Sequence, residues 1–191
     1  MNSAVHFSLV GDRTDLDRVI AGQYHDPHHV LGPHPERDGD GRERVVIRGW
    51  RPDATGMVIL AGGQRIEMSR VHPAGAYAGV VDGPGIPDYR LETTYPDGVV
   101  VVLDDPYRYW PTLGELDLYL MGEGRHESLW HHLGAHVRVH QATPGTSFAV
   151  WAPGARAVRV VGDFNGWDGR IHPMRVLGSS GVWEIFLPGI G

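Results

Sequence analysis

The chain has 191 residues, with 17 Lys and Arg against 23 Asp and Glu, a formal net charge of −6, and no cysteine. That balance leaves no basic face for nucleic acid or an anionic membrane surface. The missing cysteine excludes disulfides, thiolate metal sites and a cysteine nucleophile. The opening stretch MNSAVHFSLVGDRTDL has no basic segment followed by an apolar one, and no run nears the roughly eighteen apolar residues of a membrane span. A cytoplasmic protein without a membrane or nucleic-acid partner is expected.

In chain order, Thr14 to Ile20 reads as a short amphipathic helix within an N-terminal segment, residues 1–24. Val45 to Trp50 reads as a half-buried strand stopped by Pro52, which cannot donate to a ladder. Met57 to Leu60 and Ala76 to Val81 follow as strands. Tyr89 to Tyr95 and Val99 to Leu103 flank a Pro96-Asp97-Gly98 turn and form a hairpin. These strands make a first β-sandwich module, residues 25–110. In the linker, residues 111–133, Thr112 and Glu115 have capping-box spacing and Leu113, Leu116 and Leu120 recur at helical spacing. Glu127 to Leu133 is expected to add a helical turn. Ser147 to Trp151, Val158 to Val161 and Val182 to Leu187 then read as strands of a second module, residues 134–191.

The two modules repeat one pattern. Trp50-Arg51-Pro52 answers Trp151-Ala152-Pro153 at a separation of 101 residues, and Leu31-Gly32 answers Leu133-Gly134 at 102. Met68, Gly75 and Tyr77 answer Met174, Gly181 and Trp183 at 106. The second copy has no counterpart of the Tyr89–Leu103 hairpin. The expected fold is therefore all-β: two tandem immunoglobulin-like β-sandwich modules joined by a short helical linker, the second incomplete at its C-terminal end. On that reading the chain is a fragment of something longer.

Candidate chemistry is sparse. Two histidine groups, His25, His28, His29 and His34, and His131, His132, His136 and His140, invite a metal reading. Pro27 and Gly134 interrupt them and no HExxH pattern occurs, so loop contacts are expected and no metal or other cofactor is assigned. No GxSxG or P-loop pattern is present, and Asp104-Asp105 before Pro106 reads as a turn. No catalytic residue is assigned. Trp50, Trp151 and Trp183 read as core.

Trp167 differs. Between Ala61 and Met68 the first copy has six residues, whereas between Gly162 and Met174 the second has eleven. The extension carries Gly162-Asp163-Phe164-Asn165-Gly166-Trp167-Asp168-Gly169. An aromatic plate beside Asn and Asp suits a neutral sugar, which has apolar C–H faces and a rim of hydroxyls. The alternative is a Trp folded back to plug the sandwich end, and residue chemistry leaves both open.

The stretch Phe148-Ala149-Val150-Trp151-Ala152-Pro153, then Val160-Val161-Gly162-Asp163-Phe164-Asn165-Gly166-Trp167-Asp168-Gly169 and His172-Pro173-Met174, resembles bacterial glycogen branching enzymes. His29-Val30-Leu31-Gly32-Pro33-His34, Asp105-Pro106-Tyr107-Arg108 and the linker Pro111-Thr112-Leu113-Gly114-Glu115-Leu116 extend the resemblance over nearly the whole chain. The FNGW-type loop alone marks a wider group of starch-binding-like modules. The resemblance implies an N-terminal portion of an enzyme that moves an α-1,4-glucan segment to a 6-hydroxyl by retaining chemistry, its carboxylates in a barrel domain beyond Gly191. It implies an α-glucan partner and the C-terminal catalytic domain of the same chain, with this portion inactive alone. Trp167, Asn165, Asp163 and Asp168 are the implied sugar-binding residues, and display of Trp167 is favoured over plugging. A stand-alone glucan-binding module, or part of an isoamylase-type debranching enzyme, are the alternatives.

Overall fold

A computed structural model describes residues 9–191, so residues 1–8 of the N-terminal segment lie outside the described residues. The chain divides into two compact units. One contains residues up to Ile20 with His28–Arg108, and the other contains Ala21–Pro27 with Tyr109–Gly191. The first domain boundary of the sequence reading thus passes through a segment, residues 21–27, that packs with the second unit. The whole linker packs there too.

Helix α1 spans Arg13–Ile20. Asp12 caps it, its Oδ1 accepting from the amides of Thr14 at 2.8 Å and Asp15 at 3.2 Å. Strands β1 (Gly32–Arg37), β2 (Glu43–Trp50), β5 (Ser69–His72) and β6 (Ala76–Asp82) form one antiparallel sheet in the order β1-β2-β6-β5. Strands β3 (Gly56–Ala61), β4 (Gln64–Glu67), β7 (Tyr89–Thr94) and β8 (Val100–Asp104) form the facing sheet, ordered β4-β3-β7-β8. Alternation decides what lies between them. Val45 and Ile47 of β2, Met57 and Ile59 of β3, Tyr77 of β6 and Tyr89 and Leu91 of β7 share one buried cluster. Each such side chain contributes about 1.5–3 kcal/mol through burial.

The intervening residues of β2, Val46, Arg48 and Trp50, turn to the opposite face, and all are buried. Helix α1 lies against that face. Asp17 meets His72 of β5 at 3.2 Å, and the Arg48 Nε donates to the Leu9 carbonyl at 2.8 Å. His72 pairs with Ala76, and Ala76 with Trp50, so the helix closes the sheet at the end where Trp50 stands.

The second unit repeats this sheet. Helix α2 (Glu115–Gly122) is followed by β9 (Gly134–His140), β10 (Thr143–Trp151), β11 (Arg175–Val176) and β12 (Val182–Pro188), ordered β11-β12-β10-β9. The 3-10 turns Pro27–His29 and Leu129–His131 are also equivalent, each 102 residues apart like the two helices. The helices therefore belong to the repeat, and what reads as a linker is the second copy's own lead-in. The match extends to single bonds. The Arg51 amide donates to the Gly75 carbonyl at 3.0 Å, and the Ala152 amide to the Gly181 carbonyl at 2.8 Å. Both glycines have positive φ, and a Cβ on Gly75 or Gly181 would run into Arg51 or Pro153. Each turn can take only Gly.

Three expectations are corrected. Val158 to Val161 is not a strand but an isolated bridge, Arg159 to Pro173, matching the Val58–Glu67 pair of the β3–β4 hairpin. In the first unit β3 is held on its other side by β7, and no counterpart of β7 occurs in the second unit. Thr112 does not cap α2. Gly114 does, its amide donating to Asp117 at 3.2 Å, while Thr112 donates through N and Oγ1 to Glu184. Trp151, read as core, is 61% exposed, whereas Trp50 is 3% exposed. Both indoles make the same bond, to the carbonyls of Ser180 and Ala74. What differs is the cover. The His72–Asp17 contact that closes the first copy is replaced by Gly178 and Tyr119 in the second.

Glu184 is a further difference. It is fully buried on β12, accepting from the Nε and Nη2 of Arg175 at 3.1 and 3.0 Å. The cross-strand pair Arg175–Glu184 stands where the first copy has Ser69–Ala78. Two strongly hydrated charges can be taken inside only if paired and hydrogen-bonded, and Thr112 satisfies the second carboxylate oxygen.

Candidate functional site

The extension of the second copy forms a loop from Gly162 to His172 that begins with a single 3-10 turn, Asp163–Asn165. Gly166 and Trp167 follow with φ of 60° and 61°. Left-handed backbone is ordinary for Gly166 but costs a bulky L-residue about 1–2 kcal/mol. Trp167 is nonetheless held there, its amide donating to the Gly162 carbonyl at 3.0 Å. The indole Nε1 donates to Asp163 Oδ1 at 2.9 Å, and the side chain is 66% exposed. The ring is thus held at its polar edge and mostly exposed, so it is not buried in the sandwich end.

The four residues singled out in the sequence play different parts. Asn165 is buried, its Oδ1 accepting from the Gly162 amide at 3.0 Å and its Nδ2 donating to the Val160 carbonyl at 2.9 Å and lying 3.0 Å from His172 Nδ1. Every polar atom of that amide is used to hold the loop, so Asn165 shapes the site without facing it. Asp163 is exposed and anchors the indole through Oδ1. Asp168 is locked by Arg170, whose Nε and Nη2 reach its carboxylate at 3.0 and 2.6 Å. Those hydrogen bonds hold its carboxyl below the usual carboxylate range, although partial burial opposes them. In the first copy the same place is a two-residue Gly62-Gly63 turn between β3 and β4, with both φ values positive and no aromatic.

The second unit also exposes Trp110, Tyr119 and Trp130, each at 60% or more. Trp110 is set by its backbone, whose amide donates to Gln141 Oε1 at 2.7 Å and whose carbonyl lies 2.9 Å from His140 Nε2. These positions carry no sequence signal beyond the residue type.

The histidine groups do not assemble as the sequence grouped them. His34 Nε2 lies 3.1 Å from the Val30 carbonyl, and His136 Nε2 2.9 Å from that of Leu133. Burial, followed by the charge of Arg48, lowers the pKa of His34 to about 4. Instead Asp117, His126 and His132 come together, with both Nε2 atoms within 3.4 Å of Asp117 Oδ1. The Ser128 amide donates to His126 Nδ1 at 3.2 Å, which puts the His126 proton on Nε2, facing the carboxylate. In that tautomer His126 offers a metal no lone pair at Nε2. Asp105, from the Asp104-Asp105 pair, is wholly buried and takes bonds from the Tyr89 hydroxyl and the Tyr107 amide.

Residues 12–107 match the family of the alpha-1,4-glucan branching enzyme GlgB N-terminal domain, half of the chain. The chain belongs to that family. Residues 132–191 match carbohydrate-binding module 48, the isoamylase N-terminal domain. The chain is 54% identical over 93% of its length to the 1,4-alpha-glucan branching enzyme GlgB of Thermobifida fusca and 53% identical to that of Frankia casuarinae. It is 51% identical over 98% of its length to GlgB 1 of Streptomyces coelicolor. It spans 22–24% of the length of these curated relatives. No helix among the described residues is long and apolar enough to cross a membrane.

Proposed function

We propose that this chain is the N-terminal, glucan-holding part of a 1,4-alpha-glucan branching enzyme and that Trp167 is the plate on which a glucose unit rests. The observation that carries this is the backbone of Trp167. A large side chain is kept in a left-handed conformation, tied at its indole nitrogen, and turned to solvent. Local strain of this kind persists where the surrounding structure enforces it and function uses it. Apolar C–H faces of a sugar ring stack on the indole, and the Asp163 and Asp168 carboxylates accept from ring hydroxyls at its edge. The membership of residues 132–191 in a carbohydrate-binding module family supports the same ligand.

Transfer of an α-1,4-linked segment to a 6-hydroxyl, through a covalent glycosyl-enzyme, is proposed for the longer polypeptide whose relatives the chain matches over about a quarter of their length. The role of this part is to hold the donor or acceptor glucan so that its reactive end is presented at high effective concentration.

Affinity electrophoresis in a glycogen gel tests the reading. The wild-type chain is expected to be retarded and Trp167→Ala to run about tenfold weaker in affinity, as loss of one aromatic stacking contact implies. Equal retardation of the two, with both folded, would reject Trp167 as the plate.

A further inference from the structure

The second unit carries a groove of about 490 Å³ between α2 and the turn that joins β11 to β12. We propose that this groove is a second α-glucan subsite, separate from Trp167. The proposal rests on the glucan reading above and adds a place at the edge of the cluster in which Ala149 of β10 packs with Leu177 and Leu118.

Three observations point there. The first is the internal comparison. In the first copy α1 closes this end of the sheet, with Leu16, Val19 and Trp50 buried and Asp17 against His72. In the second copy the corresponding residues are Leu118, Met121, Trp151, Tyr119 and Gly178. Leu118 and Met121 are only partly buried, while Tyr119 is 60% and Trp151 61% exposed. Exchanging an imidazole–carboxylate contact for a glycine and a tyrosine has left an opening where the other module is shut.

The second is the chemistry of the lining. Glu115, Tyr119 and Glu123 line it from the helix, with Gly178, Ser179 and Ser180 opposite. Neither glutamate carboxylate has an ion-pair or hydrogen-bond partner among the described residues. The Ser180 Oγ already donates to the Leu177 carbonyl and accepts from the Val182 amide, but an apolar protein segment laid here would bury the two carboxylates without partners, at a cost. A ligand that is itself a run of hydroxyls with apolar faces satisfies both.

The third is the placement of the aromatics. Trp151 Nε1 donates to the Ser180 carbonyl, so the indole is tied to the turn that forms one wall of the groove. Tyr119 stands on the other wall. Tyr119 thus offers one sugar face a ring to stack on, over a lining in which Leu118 and Leu177 supply apolar surface and Glu115 and Glu123 supply acceptors.

The test is titration of the 191-residue chain with maltoheptaose, followed by the backbone amide signals of residues 177–181 and 162–169 by NMR. Four proteins are compared: wild type, Trp167→Ala, Tyr119→Ala and the double variant. In Trp167→Ala the signals of Gly178, Ser179 and Ser180 are expected still to move on titration. Adding Tyr119→Ala is expected to weaken that remaining response about tenfold. Both side chains are exposed, and an unchanged amide spectrum without sugar establishes that the fold is intact. If the groove signals stay still in wild type while those of 162–169 move, the second subsite is overturned and the Trp167 reading stands. If neither region responds in wild type, both fall. If Tyr119→Ala leaves the groove response unchanged, the groove does not bind through its aromatic wall and the proposal fails.

Discussion

The two copies of the repeat are built on one sheet and differ in what they do with its margins. The first copy closes everything. Its helix seals the outer face, its β3–β4 turn is two glycines, and β7 and β8 complete the facing sheet. The second copy keeps the same register, the same glycine-requiring turn and the same Trp-to-carbonyl bond, yet opens at two places. One is the loop that lifts Trp167, and the other is the groove under α2. The sheet is common to both copies, and the differences fall at turns and helix faces, where a change of residues does not disturb the ladder.

The strongest way to break this comparison is the equivalent tryptophan pair. Trp50→Ala is expected to destabilise its unit by about 3–5 kcal/mol, because a buried indole leaves a cavity, while Trp151→Ala costs about 1 kcal/mol or less. Urea unfolding followed by circular dichroism reads both. Equal losses would mean that the exposed indole is as structural as the buried one.

The buried ion pair sharpens the contrast next. Glu184→Ala leaves the Arg175 guanidinium inside without its carboxylate and is expected to cost about 3–5 kcal/mol. Replacing the pair together, Arg175→Ser with Glu184→Ala, recreates the first copy's Ser69–Ala78 and is expected to cost clearly less. A double variant as unstable as Glu184→Ala would show that the charges are needed as a pair and not merely balanced.

A smaller effect comes from His34. Its pKa in the fold is about 4, lowered chiefly by burial and then by Arg48, against about 6.5 when unfolded. Between those values the unfolded chain binds the proton and the folded one does not. Stability from this group is therefore complete above about pH 6.5 and falls as the pH drops toward 4, by about 3 kcal/mol at most. His34→Gln keeps a donor for the Val30 carbonyl and removes the titration, so its melting temperature is expected to depend less on pH over that range.

Much of the fold was legible. Alternation in Val45 to Trp50 and Val182 to Leu187 and the turn chemistry of Pro96-Asp97-Gly98 fixed the strands they name. The offsets of 101, 102 and 106 residues held down to individual hydrogen bonds. The rest depended on partners far along the chain. Val158 to Val161 has a strand's pattern but no neighbour on one side within the second unit. Thr112 has a cap's spacing but is drawn away by Glu184, 72 residues later. Trp151 looks like Trp50, yet one ring is open and the other covered, and the His72–Asp17 contact near the covered one has Gly178 and Tyr119 in its place in the second copy. That α1 and α2 are equivalent was within reach, since Leu16 and Val19 answer Leu118 and Met121 at the same spacing. The loop's motif pointed to Trp167 but not to the inward turn of Asn165, which is set by the Val160 carbonyl and the Gly162 amide.

The bridges Val58–Glu67 and Arg159–Pro173 occupy equivalent positions in the two copies. Since the two copies agree in register at this rung and diverge only past it, the segment beyond behaves as a cassette. A glycine pair or an eleven-residue loop can be mounted on the same stem without shifting any strand. Exchanging the tips between the copies is then a route to move the Trp167 platform onto the first module, or to erase it from the second, with the hydrophobic interior left as it is.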